Sequence, residues 1–305
     1  MESSSKNNDA IFKGEPVDLR EQEPVCPSAS HLSRRAFLKG ATGLAASALA
    51  MDQFAGWCPA VPFREYIPYD ASRDAHYGHH FGWIEHHHPS PESIGQKFVF
   101  VRLKYPGGDW FTNAVNYYRW PADTKFAEML ARYTSIDVEL HKNPQYVSIE
   151  EDDIDHLCNY PFIFMTGHLG VRFSDEDLRK LREYLERGGF LHVEDCDIRI
   201  DRMRPAVYRL MQRIFPDKKF ERLDMSHPIY HTIYDHDEYL GGDKRIPPYG
   251  DYDEAIMIDD RIAVYFCPSD LNCAWEGRVC EPDGEEQRRW AFEQGMNVVT
   301  YALTH

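Results

Sequence analysis

The chain has 305 residues, 13% aromatic residues and a formal net charge of −16 at pH 7. This acidity argues against nonspecific binding to nucleic acid or to anionic membrane surfaces. No stretch after Ala50 is long and apolar enough to cross a bilayer, so we expect no integral membrane segment in the mature chain.

The segment Ser-Arg-Arg-Ala-Phe-Leu-Lys at 33–39 predicts export by the twin-arginine route, with Arg34 and Arg35 as the paired arginines. A mildly apolar stretch from Ala41 to Ala50 follows. It is shorter than the roughly 20 apolar residues that span a membrane, and it ends in a small-x-small pattern that suits cleavage after Ala50. We therefore expect residues 1–50 to be a leader and signal peptide, and the mature protein to work in the bacterial periplasm.

Residues 51–96 are rich in aromatic residues, proline and histidine and show no clear periodicity. We interpret them as an irregular arm that packs on the domain, or as a linker. Six histidines lie between residues 76 and 88, and neutral imidazole is the commonest metal ligand in proteins. The candidate ligands are His79, His80, His86 and His88, and the alternative is packing or contact with a partner.

From Lys97 onward, short apolar runs alternate with amphipathic segments, which predicts an α/β domain over 97–305. Ser174 and the acids after it predict a helix start, and the pair Gly188-Gly189 predicts its end. The strands that flank this helix should pair in parallel through a right-handed crossover. Strands are predicted at Phe98–Leu103, Ile136–Leu140, 161–167, Phe190–Val193, Ala255–Ile258 and Ile262–Phe266, and further helices at 122–134, 205–215 and 285–303.

The chain contains seven cysteines, six of them after Ala50. An oxidising compartment permits disulfides. Cys267, Cys273 and Cys280 lie close together in a loop-like segment, so we expect one local disulfide among them. Their spacing does not match the CxxC pairs of structural zinc sites.

Turn-forming polar residues follow four of the predicted strands, at 105–110, 167–168, 194–197 and 267–270. Ligands of open parallel sheets bind in the crevice outside the carboxyl ends of the strands, so these segments predict one shared crevice. The alternative is a set of helix caps and satisfied turn carboxylates. The predicted ligand-binding residues are Gly107, Gly108, Asp109, Trp110, His168 and Asp270.

The chemistry of this crevice has two interpretations. Asp109, His168, Glu194 and Asp195 are candidates for general acid and base catalysis. His168 with the two acids at 194 and 195 could instead bind a divalent metal, although no established cofactor motif is present. Cys196 is not expected to be a nucleophile, because it lacks a glycine-flanked elbow and the adjacent Asp197 disfavours a thiolate.

Several stretches of the chain resemble the bacterial domain-of-unknown-function family numbered 4159. They are Arg102–Trp110, Tyr160–His168, Leu178–Asp195, His227–Tyr230, Ala263–Glu276 and Gly295–Thr304. The resemblance implies a three-layer fold with a mostly parallel sheet flanked by helices, of the flavodoxin-like or class I glutamine amidotransferase-like kind. It implies no activity, and the elbow cysteine and downstream His-Glu pair of true amidotransferases are not recognisable. Glutaminase activity is therefore not expected.

Three functional hypotheses follow. The leading one is a noncatalytic accessory protein of the cell envelope that binds a small polar ligand, a glycan or another envelope protein. The second is a metal-assisted hydrolase that uses the crevice. In the third, the histidine-rich arm handles a metal.

Overall fold

The computed structural model describes residues 89, 94–111, 122–196, 202–242, 252–276, 280 and 282–305. The predicted signal peptide with Arg34 and Arg35 lies outside these residues. So do the candidate ligands His79, His80, His86 and His88. The predictions for those two segments stay predictions.

The described residues form a sheet of seven strands in the order β2-β1-β3-β4-β7-β6-β5. The first five of these strands are parallel, and β6 pairs antiparallel with both β7 and β5. This parallel order is that of doubly wound α/β sheets, and it confirms the predicted fold class. The strands are β1 Val101–Lys104, β2 Gln145–Ser148, β3 Phe162–Gly167, β4 Phe190–Asp195, β5 Glu221–Arg222, β6 Glu254–Ile258 and β7 Arg261–Cys267.

Helices cover both faces of the sheet. The helices are α1 Ala122–Tyr133, α2 Ile154–Leu157, α3 Asp175–Glu186, α4 Met203–Ile214, α5 Leu271–Trp275 and α6 Glu285–Thr304, with a 3-10 turn at Pro228–Tyr230. Helices α1, α5 and α6 pack on one face, and α2, α3 and α4 pack on the other. Among the described residues, no helix is both long enough and apolar enough to span a membrane.

Helix α3 begins where the sequence predicts. Ser174 accepts a hydrogen bond from the Asp177 backbone N–H at 3.2 Å, and the Asp177 carboxylate accepts one from the Ser174 N–H at 2.8 Å. This reciprocal capping box satisfies two backbone donors that a helix start leaves without partners. After the helix, the Tyr184 ring lies directly over Gly189, where a Cβ would meet the ring at 2.3 Å. Glycine is therefore required for the chain to turn straight into β4.

The face covered by α1, α5 and α6 has an aromatic centre. The Trp275 ring of α5 stacks on Phe126 of α1 with centroids 4.2 Å apart. Gly295 of α6 meets both rings, because a Cβ there would lie 2.6 Å from Phe126 and 2.7 Å from Trp275. The missing side chain lets α6 approach closely, and α5, which follows β7, is held firmly against the sheet.

The strand predicted at Ile136–Leu140 is wrong. That segment makes one isolated bridge, between Val138 and Phe98, which precedes β1. The strand that pairs along β1 is β2, Gln145–Ser148, in register with Val101–Lys104. Because β2 occupies this edge of β1, the alternating segment before it has no ladder to join.

The disulfide predicted among Cys267, Cys273 and Cys280 is also wrong. All three are buried thiols, as is Cys196, and Cys158 is a half-buried one. Cys267 ends β7 within the core, with its Sγ 3.3 Å from the Ser269 hydroxyl. Cys273 lies on α5 and faces Cys196 instead. The fold thus separates three cysteines that are close in sequence.

Candidate functional site

The site lies at the carboxyl edge of the sheet, where the order of the strands reverses between β1 and β3. Asp109 stands in the loop after β1, and His168 comes directly after β3. Cys196 follows β4, and Asp270 follows β7. Polar groups from four parallel strands therefore gather at the edge where doubly wound sheets bind ligands, as the sequence predicts.

Asp109 accepts three hydrogen bonds, two from His168 and one from Leu169. Its Oδ2 lies 2.6 Å from the His168 Nδ1, and its Oδ1 accepts the backbone N–H groups of His168 at 2.9 Å and of Leu169 at 3.0 Å. Burial opposes ionisation of Asp109, but these bonds outweigh it and lower the pKa of the carboxyl. The ring orientation of His168 is thereby fixed, with Nδ1 turned to the carboxylate.

Close backbone packing places Asp109 opposite His168. Tyr105 is buried and donates its hydroxyl to the Thr166 carbonyl at 2.9 Å. Its ring lies against Gly108 and its hydroxyl against Gly167, where added Cβ atoms would come within 2.5 Å of the Tyr105 side chain. Gly107 has φ +80° and packs under the Arg172 side chain. The structure thus places Gly107 and Gly108, predicted to bind a ligand, in the packing that brings the β1 and β3 loops together.

The second partner of the His168 side chain is Cys196. In the parallel register Gly167 pairs with Asp195, so the next residues, His168 and Cys196, are neighbours. The Cys196 N–H donates to the Gly167 carbonyl at 3.2 Å, and the two side chains are hydrogen-bonded. Burial lowers the pKa of His168, but the bonds to Asp109 and Cys196 outweigh it and raise it to about 11. The imidazolium stands between a carboxylate and a sulfur.

Asp270 and Cys273 complete the cluster around Cys196. Asp270 has φ +53°, uncommon for a residue with a side chain, and its carboxylate caps α5 by accepting the Cys273 N–H at 3.1 Å. The carboxylate of Asp270 and the sulfurs of Cys196 and Cys273 all lie within 4.8 Å of one another. All three residues are buried.

Glu194 and Asp195 point to opposite faces of β4. Glu194 accepts the Asn272 N–H of α5 at 3.0 Å and lies 3.2 Å from the His192 Nε2. Asp195 accepts the backbone N–H of Arg204 near the start of α4, at 3.3 Å. Burial raises the pKa of Glu194 well above its usual range. Both acids, predicted as catalytic or metal-binding candidates, tie helix starts to the sheet.

An aromatic surface borders the site on the β1 side. The Trp110 ring lies 5.4 Å from Tyr146 and 6.0 Å from Phe111, measured between centroids. Phe111 is 42% exposed, and Leu169, next to His168, is 37% exposed. The Trp110 carbonyl accepts a hydrogen bond from the buried Arg102 at 3.0 Å, which fixes this loop. Trp110, predicted to bind a ligand, therefore lies beside the Asp109–His168 pair.

Residues 99–303 match the family described as a domain of unknown function, DUF4159. The chain belongs to this family. The matched range includes every described residue of the site, from Asp109 to Cys273. No curated protein matches the chain. Family membership thus accounts for the α/β domain and leaves the chemistry to be argued from the residues of this member.

Sequence reasoning missed Cys196 and Cys273 as members of the site. For Cys196, the prediction weighed Asp197, its neighbour along the chain, whereas the structure shows His168 as its neighbour across the sheet. Aligning Thr166-Gly167-His168 with Glu194-Asp195-Cys196 as parallel strand ends would have paired the two. No local pattern identifies Cys273, because its place depends on how α5 packs.

Proposed function

We propose that this protein is a thiol-dependent hydrolase or acyl transferase in which Cys196 is the nucleophile, His168 the acid and base, and Asp109 the group that orients His168. One observation carries the proposal: a continuous hydrogen-bonded series from the Asp109 carboxylate through the His168 ring to Cys196. A base joined to a nucleophile and oriented by a third group is the arrangement that activates a thiol for covalent catalysis.

The geometry supports the following sequence of steps. The imidazolium of His168 stabilises the Cys196 thiolate, whose sulfur attacks the carbonyl carbon of an ester, thioester or amide. The tetrahedral species collapses as His168 donates a proton to the leaving group, leaving an acyl group on the sulfur. His168 then takes a proton from water, the resulting hydroxide attacks the acyl carbon, and the sulfur leaves as the thiolate. Asp109 keeps Nδ1 protonated throughout.

Alkylation of the metal-free full chain by iodoacetamide, followed by peptide mass spectrometry, tests the proposal. We expect Cys196 to react faster than Cys158, whose pKa is raised by burial. His168→Ala should slow alkylation of Cys196 by at least about tenfold, because the thiolate loses its cation. Cys196→Ser should abolish turnover in a panel of fluorogenic esters, thioesters and amides, and Cys158→Ala, the matched control on α2's C-terminal side, should not.

Equal alkylation of Cys196 in the wild type and in His168→Ala would overturn the catalytic proposal, provided that both proteins show the same circular dichroism spectrum. Turnover that persists in Cys196→Ser would do the same. Imidazole added to His168→Ala supplies a further check, since a missing general base is often restored by a diffusible one whereas a packing defect is not.

A second candidate is glycan binding without catalysis. The observation that favours it is the aromatic surface of exposed Phe111 with the half-buried Trp110 and Tyr146, since aromatic rings provide the stacking faces that sugar rings use. Isothermal titration of cell-wall oligosaccharides into the wild type, Cys196→Ser and Phe111→Ala distinguishes the two candidates. Binding that Phe111→Ala weakens, in a protein without turnover on any member of the panel, would favour the noncatalytic function.

A further inference from the structure

The thiol at the centre of the site has a second thiol and a carboxylate beside it that the proposed reaction does not use. Cys273 and Asp270 come from α5 and its N-cap, and Cys196 comes from the end of β4. Their ligand atoms lie within 4.8 Å of one another. In a tetrahedral site with zinc–sulfur bonds of about 2.3 Å, ligand atoms stand roughly 3.5–4 Å apart. Side-chain rotations that shift the ligand atoms by about 1 Å would therefore bring all three within bonding distance of one ion.

The donors select the kind of ion. Two thiolates favour soft or borderline ions, and an added carboxylate favours Zn²⁺ or Cd²⁺ over Cu⁺. Mg²⁺ and Ca²⁺ require oxygen ligands and do not fit this set. All three residues are nearly buried, at 7% for Cys196, 7% for Asp270 and 5% for Cys273, so the fold holds them near one another without a disulfide.

His168 lies beside the cluster, next to Cys196. Its side chain is hydrogen-bonded to Cys196, and its Nδ1 is held by Asp109 at 2.6 Å. A histidine whose second ring nitrogen is bonded to a carboxylate is the usual arrangement around protein-bound zinc. The pairing that suits a general base is therefore the pairing that suits a metal ligand.

We propose that Cys196, Cys273 and Asp270 bind one Zn²⁺ ion. This set differs from the metal ligands that the sequence predicts, because Glu194 and Asp195 are committed to α5 and α4. One consequence rests on the proposed function: a Cys196 sulfur bound to the ion is a weaker nucleophile than the free thiolate, so we expect the zinc-loaded form to be the less active form of the enzyme.

Titration of the full chain with Cd²⁺, followed by the thiolate-to-cadmium charge-transfer absorption in the ultraviolet, tests the site. Histidine ligands give no such band, so metal bound to the histidines between 76 and 88 does not contribute. We expect saturation at one equivalent, and loss of about half of the band in Cys273→Ser with affinity weakened at least tenfold. Zn²⁺ should displace Cd²⁺ and remove the band.

Asp270→Asn supplies a second variant. Asparagine is as good an N-cap as aspartate, so α5 should remain capped while the anionic ligand is lost. We expect the same absorption per bound Cd²⁺ with affinity reduced by at least about tenfold, because loss of a direct anionic ligand should cost no less than the 10–100-fold loss seen for groups that only support the ligands. Cys158→Ala, which removes a thiol outside the cluster, should match the wild type.

A wild-type band that stays unchanged in Cys273→Ser and Asp270→Asn would overturn the proposal, as would the lack of any band in a protein with reduced thiols. These outcomes are separate from those of the catalytic proposal. If the protein binds cadmium but His168→Ala does not slow alkylation of Cys196, the proposed metal site stands and the catalytic proposal is wrong. Alkylation that depends on His168, without a cadmium band, would do the reverse.

Discussion

Asp109 and Asp253 are both carboxylates that accept three or more hydrogen bonds, yet their surroundings differ. Asp109 is 20% exposed, and its partners are two backbone N–H groups and an imidazole. Asp253 is fully buried, and its partners are the hydroxyls of Tyr230 at 2.9 Å, Tyr239 at 2.7 Å and Tyr265 at 2.5 Å. One faces an imidazole, and the other faces three phenol hydroxyls.

Their pKa values move in opposite directions. Burial raises the pKa of Asp253, and the three tyrosine hydroxyls do not fully offset it. The pKa of Asp109 is lowered, because its bonds to His168 and Leu169 outweigh burial. The Asp253 region still serves the site, since Tyr239 lies 2.9 Å from the Ser269 hydroxyl and Ser269 precedes Asp270. The type of hydrogen-bond partner, more than the number of hydrogen bonds, therefore distinguishes a carboxylate suited to catalysis from a structural one.

The largest effect on activity should come from Asp109→Asn. The amide would present an N–H group to the Nδ1 of His168 and favour the tautomer that cannot take a proton at Nε2. We expect turnover to fall by about 10²–10⁴-fold, the range of a general base step. The free energy of unfolding should change by no more than about 1 kcal/mol, because the backbone N–H groups keep an acceptor. Paired turnover and urea unfolding measurements check both expectations.

The largest effect on stability should come from Asp253→Ala. The substitution leaves three buried tyrosine hydroxyls without their acceptor, at about 1–3 kcal/mol each before any water enters the space. We expect a loss of about 3–5 kcal/mol in urea unfolding. Asp253→Asn, which keeps the size and one acceptor oxygen, should lose less. A result in which Asp109→Asn is the more destabilising change would reverse the roles assigned to the two carboxylates.

Features that depend on neighbours along the chain could be predicted from sequence, and features that depend on distant contacts could not. Apolar periodicity, the N-cap at Ser174 and the glycine after the helix end at Gly188 are local signals, and signals of this kind predict most elements. The convergence of polar loops at one edge follows from parallel pairing alone, so Asp109, His168 and Asp270 could be selected as site residues. The strand at Gln145–Ser148 could not, since its polar residues give no apolar alternation and only pairing with β1 makes it a strand.

The membership of the cluster could not be predicted for a related reason. Asp270 and Cys273 meet Cys196 because α5 is anchored by Glu194 and by the Trp275–Phe126 stack, which are long-range contacts. Glu194 was selected from sequence as a chemical group, but the alternation of β4 turns it toward that helix. A carboxylate at a strand end is thus ambiguous until the face on which it lies is known.

A smaller, pH-dependent effect should arise in the structural region at His236. This ring packs on Trp290 with centroids 5.0 Å apart, and burial lowers its pKa from 6.5 to about 4. Above pH 6.5 the ring is neutral in both states and contributes nothing. Between pH 6.5 and 4 the ring takes up a proton in the unfolded chain but not in the folded one. The free energy of unfolding therefore decreases as the pH is lowered, by up to about 3 kcal/mol.

His236→Phe should remove that part of the acid loss while keeping the stacking on Trp290. Urea unfolding at pH 7.5, 5.5 and 4 provides the measurement, and the value at pH 7.5, where the linkage vanishes, is the internal control. A variant that loses as much stability as the wild type between pH 7.5 and 4 would show that His236 is not buried as a neutral ring.

Changing the predicted export signal should have the smallest effect on the activity of the Asp109–His168 site and on the stability of the region around Asp253. Arg34 and Arg35 lie outside the described residues. For the variant Arg34→Lys with Arg35→Lys, we expect the free energy of unfolding to stay within about 0.5 kcal/mol and the rate of Cys196 alkylation within about twofold of the wild type. Its effect should be on location, because the twin-arginine route reads the paired arginines. Cell fractionation should find the wild type in the periplasm and the variant in the cytoplasm. A variant still recovered from the periplasm would mean that the Ala41–Ala50 stretch directs export without the arginine pair, and the domain would then reach its compartment unfolded, before α5 could bring Cys273 to Cys196.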